Sequence, residues 1–154
     1  MDVNFINPFI ASTVSAFSSM LDCRLERQEM FLSDNFQPQH DLTAIIGLSG
    51  EIIGTVVLSL EREVAISATE ALLGERPSSI DADVVDATGE LSNIVAGGAK
   101  AQMSQYELSL ALPTVIVGRS HVVTFESDVR PICIPFKCDW GNLTLEVGFT
   151  SGRD

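Results

Sequence analysis

The chain has 154 residues, 45% of them hydrophobic and 19% charged, with 11 Gly and 6 Pro. That composition excludes disordered, collagenous and linker-like chains and supports one domain over residues 1–154 with a substantial core. Nine Lys+Arg against 21 Asp+Glu give a formal charge of −12, a field that repels phosphate backbones and anionic lipid and argues against nucleic-acid or membrane-surface partners.

In chain order, Asn7-Pro8 opens the first helix: Asn caps, and Pro suits the first helical position. Ile10, Val14, Phe17 and Leu21 follow at helical spacing and form its core stripe. Residues 5–21 are apolar but broken by Asn7, Pro8 and several Ser/Thr, and they lack a basic leader and the length of a membrane span. With three cysteines (Cys23, Cys133, Cys138), an odd number that makes no disulfide framework, the expectation is a soluble cytoplasmic protein with reduced thiols. Residues 23–37 read as a short strand and a loop. Ala44-Ile45-Ile46-Gly47-Leu48 and Ile52-Ile53-Gly54-Thr55-Val56-Val57-Leu58 form a hairpin about Ser49-Gly50-Glu51, with both strand faces covered. Residues 61–73 form a helix with Val64, Ala68 and Leu72 on one face, stopped by Gly74 and Pro77. The longest helix starts at Ile80-Asp81, capped by Asp81, and runs to about Tyr106. Beyond Pro113, strands are expected over 114–117, 121–126, 130–138 and 143–149, the last two joined by Asp139-Trp140-Gly141-Asn142. Pro131 and Pro135 place the third of these at an edge or a bulge. The fold class is α+β, a mostly antiparallel sheet packed against long helices.

The long helix carries the chemistry. At 100° per residue, Asp86, Glu90, Asn93 and Gly97 fall within roughly 60° of one another. Val84, Leu91, Ile94, Val95 and Gly98 occupy a separate apolar arc. Gly89, Gly97 and Gly98 each cost about 1 kcal/mol relative to Ala inside a helix. Gly89 and Gly97 flank the polar strip, where missing side chains admit another surface; Gly98 falls on the apolar arc and serves internal packing. Spacing alone favours a helix whose glycines are all packing residues and whose Glu90 and Asn93 are merely solvated.

The pattern Asp86-x3-Glu90-x2-Asn93, the following Ile94-Val95-Ala96-Gly97-Gly98-Ala99-Lys100, the hairpin over residues 45–58, and Leu112-Pro113-Thr114-Val115-Ile116-Val117-Gly118 together resemble the CheX/CheC family of chemotaxis phosphatases. The resemblance runs from about residue 5 to residue 150, with one such motif, as in CheX, where typical CheC proteins carry two. It implies a CheX/CheC-like fold and hydrolysis of the aspartyl phosphate of a CheY-type response regulator. On that reading Asn93 orients the attacking water and Glu90 pairs with the regulator's active-site Lys. Asp86, Gly89 and Gly97 serve docking. No cofactor belongs to this chain itself; the divalent metal, such as Mg2+, resides in the partner. The resemblance also implies a homodimer joined through the sheets.

Rival signals are weaker. Cys133-x4-Cys138 with His121 lacks the spacing of a zinc knuckle, and alternate strand positions point the thiols apart. Gly47-Leu48-Ser49-Gly50 is a turn that does not fit a nucleophile elbow, His40 and His121 have no matching nucleophile, and no phosphate-loop or dinucleotide fingerprint appears. The alternative function is a non-catalytic response-regulator-binding or flagellar-switch-like assembly domain on the same scaffold.

Overall fold

Period-two alternation in the longest strands organises the molecule. The structure, a computed structural model, describes residues 3–33, 40–118 and 129–151. Its strands are β1 (Glu26–Arg27), β2 (Phe31–Leu32), β3 (Leu42–Gly50), β4 (Ile52–Leu60), β5 (Leu108–Leu110), β6 (Thr114–Val117), β7 (Ile132–Cys138) and β8 (Gly141–Ser151). The helices are α1 (Val3–Leu21), α2 (Arg62–Leu73) and α3 (Ala82–Gln102). The strands form an eight-stranded sheet in the order β1-β7-β8-β4-β3-β5, with β2 also on β7 and β6 also on β3. Every described pairing is antiparallel. This is the expected α+β arrangement. The strand expected over 121–126, and His121 with it, lies outside the described residues.

The β3–β4 hairpin turns at Gly50, whose φ of +114° requires a residue without Cβ. Register then carries one apolar row onto a common face: Leu42 opposes Leu60, Ala44 opposes Leu58 and Ile46 opposes Val56. Leu143, Leu145 and Val147 of β8 and Ile134 and Phe136 of β7 extend it. The helices bury that face, with Phe9, Phe17, Val64, Leu91 and Val95 in the same core. Phe5 stands edge-on to Tyr106 and Phe149, at centroid distances of 5.4 and 6.1 Å.

Tertiary packing corrects two helix boundaries. α1 begins at Val3, so Pro8 lies inside it rather than at its start. Pro8 forfeits a single backbone bond in the first turns, while the added turn buries Ile6 and brings Phe5 to its aromatic partners. The apolar stripe is correspondingly rotated: Phe9, Ala16, Phe17 and Leu21 are buried, while Ile10 and Val14 lie at its margin. α3 ends at Gln102 rather than near Tyr106 because Met103 is drawn into the core and the chain turns into β5, a strand that three residues of pattern did not announce.

The proline-bearing strand is covered rather than open. β1 pairs with one end of β7 and β2 with the other. The Pro135 and Pro131 carbonyls accept from Gln28 and Ser33 N–H on this outer side, so the missing proline donors face the short flanking strands and interrupt nothing in the β7–β8 ladder.

The second face of the sheet is buried at its centre, as the apolar hairpin runs required, although Ile53 near the turn stays exposed. Its central row is polar. Glu146 lies between Val57 and Cys133, and Thr144 between Ser59 and Pro135. Thr43 and Ser59 hydroxyls pair at 3.1 Å. Among the described residues, Glu146 Oε2 and Thr144 Oγ1 have no hydrogen-bond partner. Burial pushes the Glu146 carboxyl up to about 8, with the Cys133 thiol opposing the shift.

Two outcomes follow from these contacts. Gly98→Ala places a methyl against Ser12 Oγ, which donates to the Val95 carbonyl at 2.6 Å. Overpacking of about 1–3 kcal/mol plus a lost bond of about 1 kcal/mol exceeds the ~1 kcal/mol of helix propensity gained. Urea titration should therefore show net destabilisation, and an unchanged or higher midpoint would refute the contact. For Glu146, the folded form holds the proton more tightly than the unfolded chain. Its stabilising contribution is complete below the ordinary 4.5 and is lost as pH rises through about 8. Glu146→Gln should flatten that decline in midpoints measured across the window; an equally steep decline in the variant would contradict it.

Candidate functional site

The site begins with how α3 is started and enclosed. Asp81 caps the helix by accepting from Val84 N–H at 3.1 Å, and Asp83 stands in the positive first turn. Beyond the cap, small residues let neighbours close in on several sides. α1 approaches over Gly98 and Val95 through Ser12. β6 and the preceding Pro113 approach over Gly89, where an added Cβ would stand 3.5 Å from Val115 Cγ2 and 3.7 Å from Pro113 Cγ.

Of the expected arc Val84, Leu91 and Val95 are buried and Ile94 and Gly98 half-buried, and burial spreads well beyond it to Ala87, Thr88, Gly89, Ser92, Ala96 and Ala99. The two buried hydroxyls are satisfied within the helix: Thr88 donates to the Val84 carbonyl at 2.8 Å and Ser92 to Gly89 at 2.7 Å. This side of α3 shows no apolar period in the sequence, and small-residue packing rather than hydropathy buries it.

What remains open is one strip. Asp86 and Glu90 are exposed, and Asn93 and Gly97 are half-buried. Asp86, Gly89, Glu90 and Asn93 line one groove together with Val85, and Pro113 and Val115 form its opposite wall. The structure thus brings together four of the five expected site residues. Gly97 lies on the same strip, and an added Cβ there would meet nothing within 4 Å. Gly89 differs from expectation: it is buried against this chain's own Pro113 and Val115, which an added Cβ would meet at ordinary contact distance. The wall residues carried no assigned role in the sequence, although the Pro113-Thr114-Val115 segment was part of the family resemblance. Leu112, next to that wall, is 87% exposed.

The strip is electrostatically one-sided. Asp83, Asp86 and Glu90 project from successive turns, and none of the groove-lining residues is basic. Among the described residues, nothing hydrogen-bonds to or ion-pairs with the side chains of Asp86, Glu90 or Asn93. A carboxylate and a carboxamide one turn apart, unpaired and backed by a rigid helix, present an acceptor for a cation beside a group that both donates and accepts.

The sequence model of the family described as "Chemotaxis phosphatase CheX" matches residues 42–137, a span that contains α3 and most of the sheet. The chain belongs to the CheX family. It is 25% identical over 122 residues to the CheY-P phosphatase CheX of Thermotoga maritima, covering 77% of this chain and 79% of that one. It is also similar to the crystal structure of a CheC-like superfamily protein from Shewanella sp. PV-4, at 33% identity and a TM-score of 0.89 over 98% of this chain and 100% of the other. The crystal structure of a CheX–CheY–BeF3–Mg2+ complex from Borrelia burgdorferi matches at 19% identity and a TM-score of 0.81, over 96% and 98% of the two chains, a likeness of fold.

For this CheX-family chain, no described group of three or more His, Cys, Asp or Glu side chains could hold a metal ion. Cys133 and Cys138 fall on opposite faces of β7, one beside Glu146 and the other beside Cys23. No described helix is long and apolar enough to cross a membrane.

The open space at Gly97 yields a test of the helix independent of chemistry. Gly97→Ala should stabilise the fold by up to ~1 kcal/mol, because propensity is gained and no neighbour is displaced. A lower denaturation midpoint would show that something of this chain packs there.

Proposed function

We propose that this CheX-family phosphatase hydrolyses the aspartyl phosphate of a CheY-type response regulator, and that Asn93 and Glu90 carry its share of the reaction. The observation that supports this reading is the unpaired Glu90/Asn93 pair on the one strip of α3 left open by its surroundings. An acyl phosphate is already activated, so the reaction chiefly lacks a water held in line with the bond to be broken. The Asn93 carboxamide accepts from that water through its oxygen or donates to it through its nitrogen, and needs no titration of its own. Glu90, one turn earlier, meets the regulator's active-site Lys and sets the depth and register of insertion.

The divalent metal that neutralises the phosphoryl oxygens resides in the regulator, as the Mg2+ named in the Borrelia burgdorferi complex is consistent with. This chain contributes position and charge rather than a covalent intermediate. Asp86 extends the acidic strip by one turn and supports docking of the cationic partner surface. Gly97 keeps the strip low where the partner must come closest, and Gly89 holds the groove wall in place.

Phosphate release from a regulator phosphorylated with acetyl phosphate tests this directly. Asn93→Ala should lose about 100-fold or more of the acceleration with unchanged circular dichroism and near-unchanged complex formation. Glu90→Ala should weaken both complex formation and rate, by about 10–100-fold in affinity for a lost charge-assisted pair. A double variant that still accelerates like the parent would refute the mechanism. A parent protein that binds the phosphorylated regulator without accelerating phosphate loss would favour the non-catalytic assembly role.

A further inference from the structure

Away from α3, the structure brings together two thiols that lie 115 positions apart in the chain. Cys23 is buried directly after α1, where Asp22 adopts a left-handed φ of 51° and the Cys23 N–H closes on the Phe17 carbonyl at 2.9 Å. Cys138 is half-buried at the end of β7, opposite Gly141 across the two-residue turn Asp139-Trp140. Strand register aligns them. Glu26 opposes Lys137 in the β1–β7 ladder, so one step further Leu25 faces Cys138, with Cys23 two residues on along the same inward-pointing side. Burial alternates accordingly: Cys23 and Leu25 are buried, Arg24 and Glu26 exposed, and Cys138 packs on the core between exposed Lys137 and Asp139. The Cys138 thiol is near enough to Cys23 to help raise its pKa.

Access is asymmetric. A polar recess lined by Arg24, Glu26, Lys137, Asp139 and Cys138 opens to solvent, and Cys138 is the thiol at its wall. Cys23 lies behind it in the core.

We propose that Cys138 and Cys23 form a reversible intramolecular disulfide, in which Cys138 is the thiol oxidised by hydrogen peroxide and Cys23 resolves it. The Cys138 sulfur attacks the peroxide O–O bond, one oxygen leaves as water, and Cys138 becomes a sulfenic acid. The Cys23 sulfur then attacks the Cys138 sulfur; the S–S bond forms, the S–O bond breaks, and the hydroxyl departs as water with the Cys23 proton. Two thiols lose two electrons and one hydroperoxide is reduced. The order of events matches the environments: Cys138 stands at the recess, whereas Cys23 lies in the core with its thiol pushed up to about 12 by burial first and then by the neighbouring Cys138, so Cys23 keeps its proton until the departing Cys138 hydroxyl takes it in the second step. Cys133 stays outside the reaction. It points to the other face of the sheet, where burial and then Glu146 push its thiol up to about 12. The closed bond ties the end of α1 to the β7–β8 turn, leaving the Glu90/Asn93 strip untouched.

The test uses the whole protein treated with hydrogen peroxide, quenched, alkylated in denaturant and digested without reductant. The expected product is monomeric and carries one alkyl group, on Cys133, with Cys23 linked to Cys138 and two hydrogen atoms fewer than the singly alkylated reduced chain, and dithiothreitol restores the Cys23 and Cys138 thiols. In Cys138→Ser, loss of the Cys23 thiol should slow at least about tenfold. In Cys23→Ser, Cys138 should accumulate as a sulfenic acid trapped by dimedone. The proposal is overturned if wild-type Cys138 goes to sulfinic acid with Cys23 still free, if the bonds found join Cys133 or two copies, or if Cys23 is oxidised equally fast in Cys138→Ser. The wild-type map and the surface-side Cys138→Ser variant decide the matter even if Cys23→Ser fails to fold.

Discussion

The close seating of α3 between α1 and the sheet is the constraint on which the proposed Glu90/Asn93 site depends. At Gly98 the backbone of α3 comes so near α1 that Ser12 reaches the Val95 carbonyl, and no side chain could stand between them. At Gly89, β6 and Pro113 pack at ordinary contact distance. A helix packed on those sides by the side chains of α1, Pro113 and β6 has its one open strip pointing in one direction. Packing density enforces this: interiors tolerate few voids, and a helix flanked by small residues has few alternative seatings. The glycines that weaken α3 by propensity are thus the means by which it is oriented.

Under the proposed function that orientation matters, because the chemistry asked of the chain is mostly positional. An amide and a carboxylate one turn apart are ordinary groups, and water-exposed examples occur on most helices. Their value depends on being rigid, unpaired and accessible at once. Rigidity comes from the enclosure of α3. Accessibility comes from the groove between the strip and Pro113–Val115. The charge of −12 adds to it, since an acidic strip on an acidic protein favours a cationic rim on the partner.

The sheet separates two chemical regimes. Its helix-facing side is apolar and ends, at the β7–β8 turn, in the Cys23/Cys138 neighbourhood. Its other side carries a buried polar row in which Glu146 keeps its proton to about pH 8. Cys133 and Cys138 are five residues apart in one strand, and an odd separation sends their side chains to opposite faces. The same element therefore holds one thiol sealed beside a carboxyl and one beside a second thiol at a solvent-filled recess.

Much of this was legible in the sequence. The β3–β4 hairpin, the β7–β8 hairpin, α2 with its Gly74 stop and the Asp81 cap all rest on local signals: turn glycines, period-two alternation and capping chemistry. The polar strip of α3 also followed from spacing, because the angular position of a residue on a helix is intrinsic to the helix. Non-local contacts decided the rest. Pro8 sits inside α1 because Phe5 met Tyr106 and Phe149 and Ile6 entered the core. β5 formed because Met103 was drawn into the core. Thr88, Ser92 and Ala96 are buried although their hydropathy marks no face, and Gly89 proved to seat this chain's own wall. The nearness of Cys23 and Cys138 needed the β1–β7 register, which joins segments 115 residues apart. Local patterns determine which element a segment forms and which way its residues face; what each face meets depends on the positions of all the others, and only the folded chain specifies those.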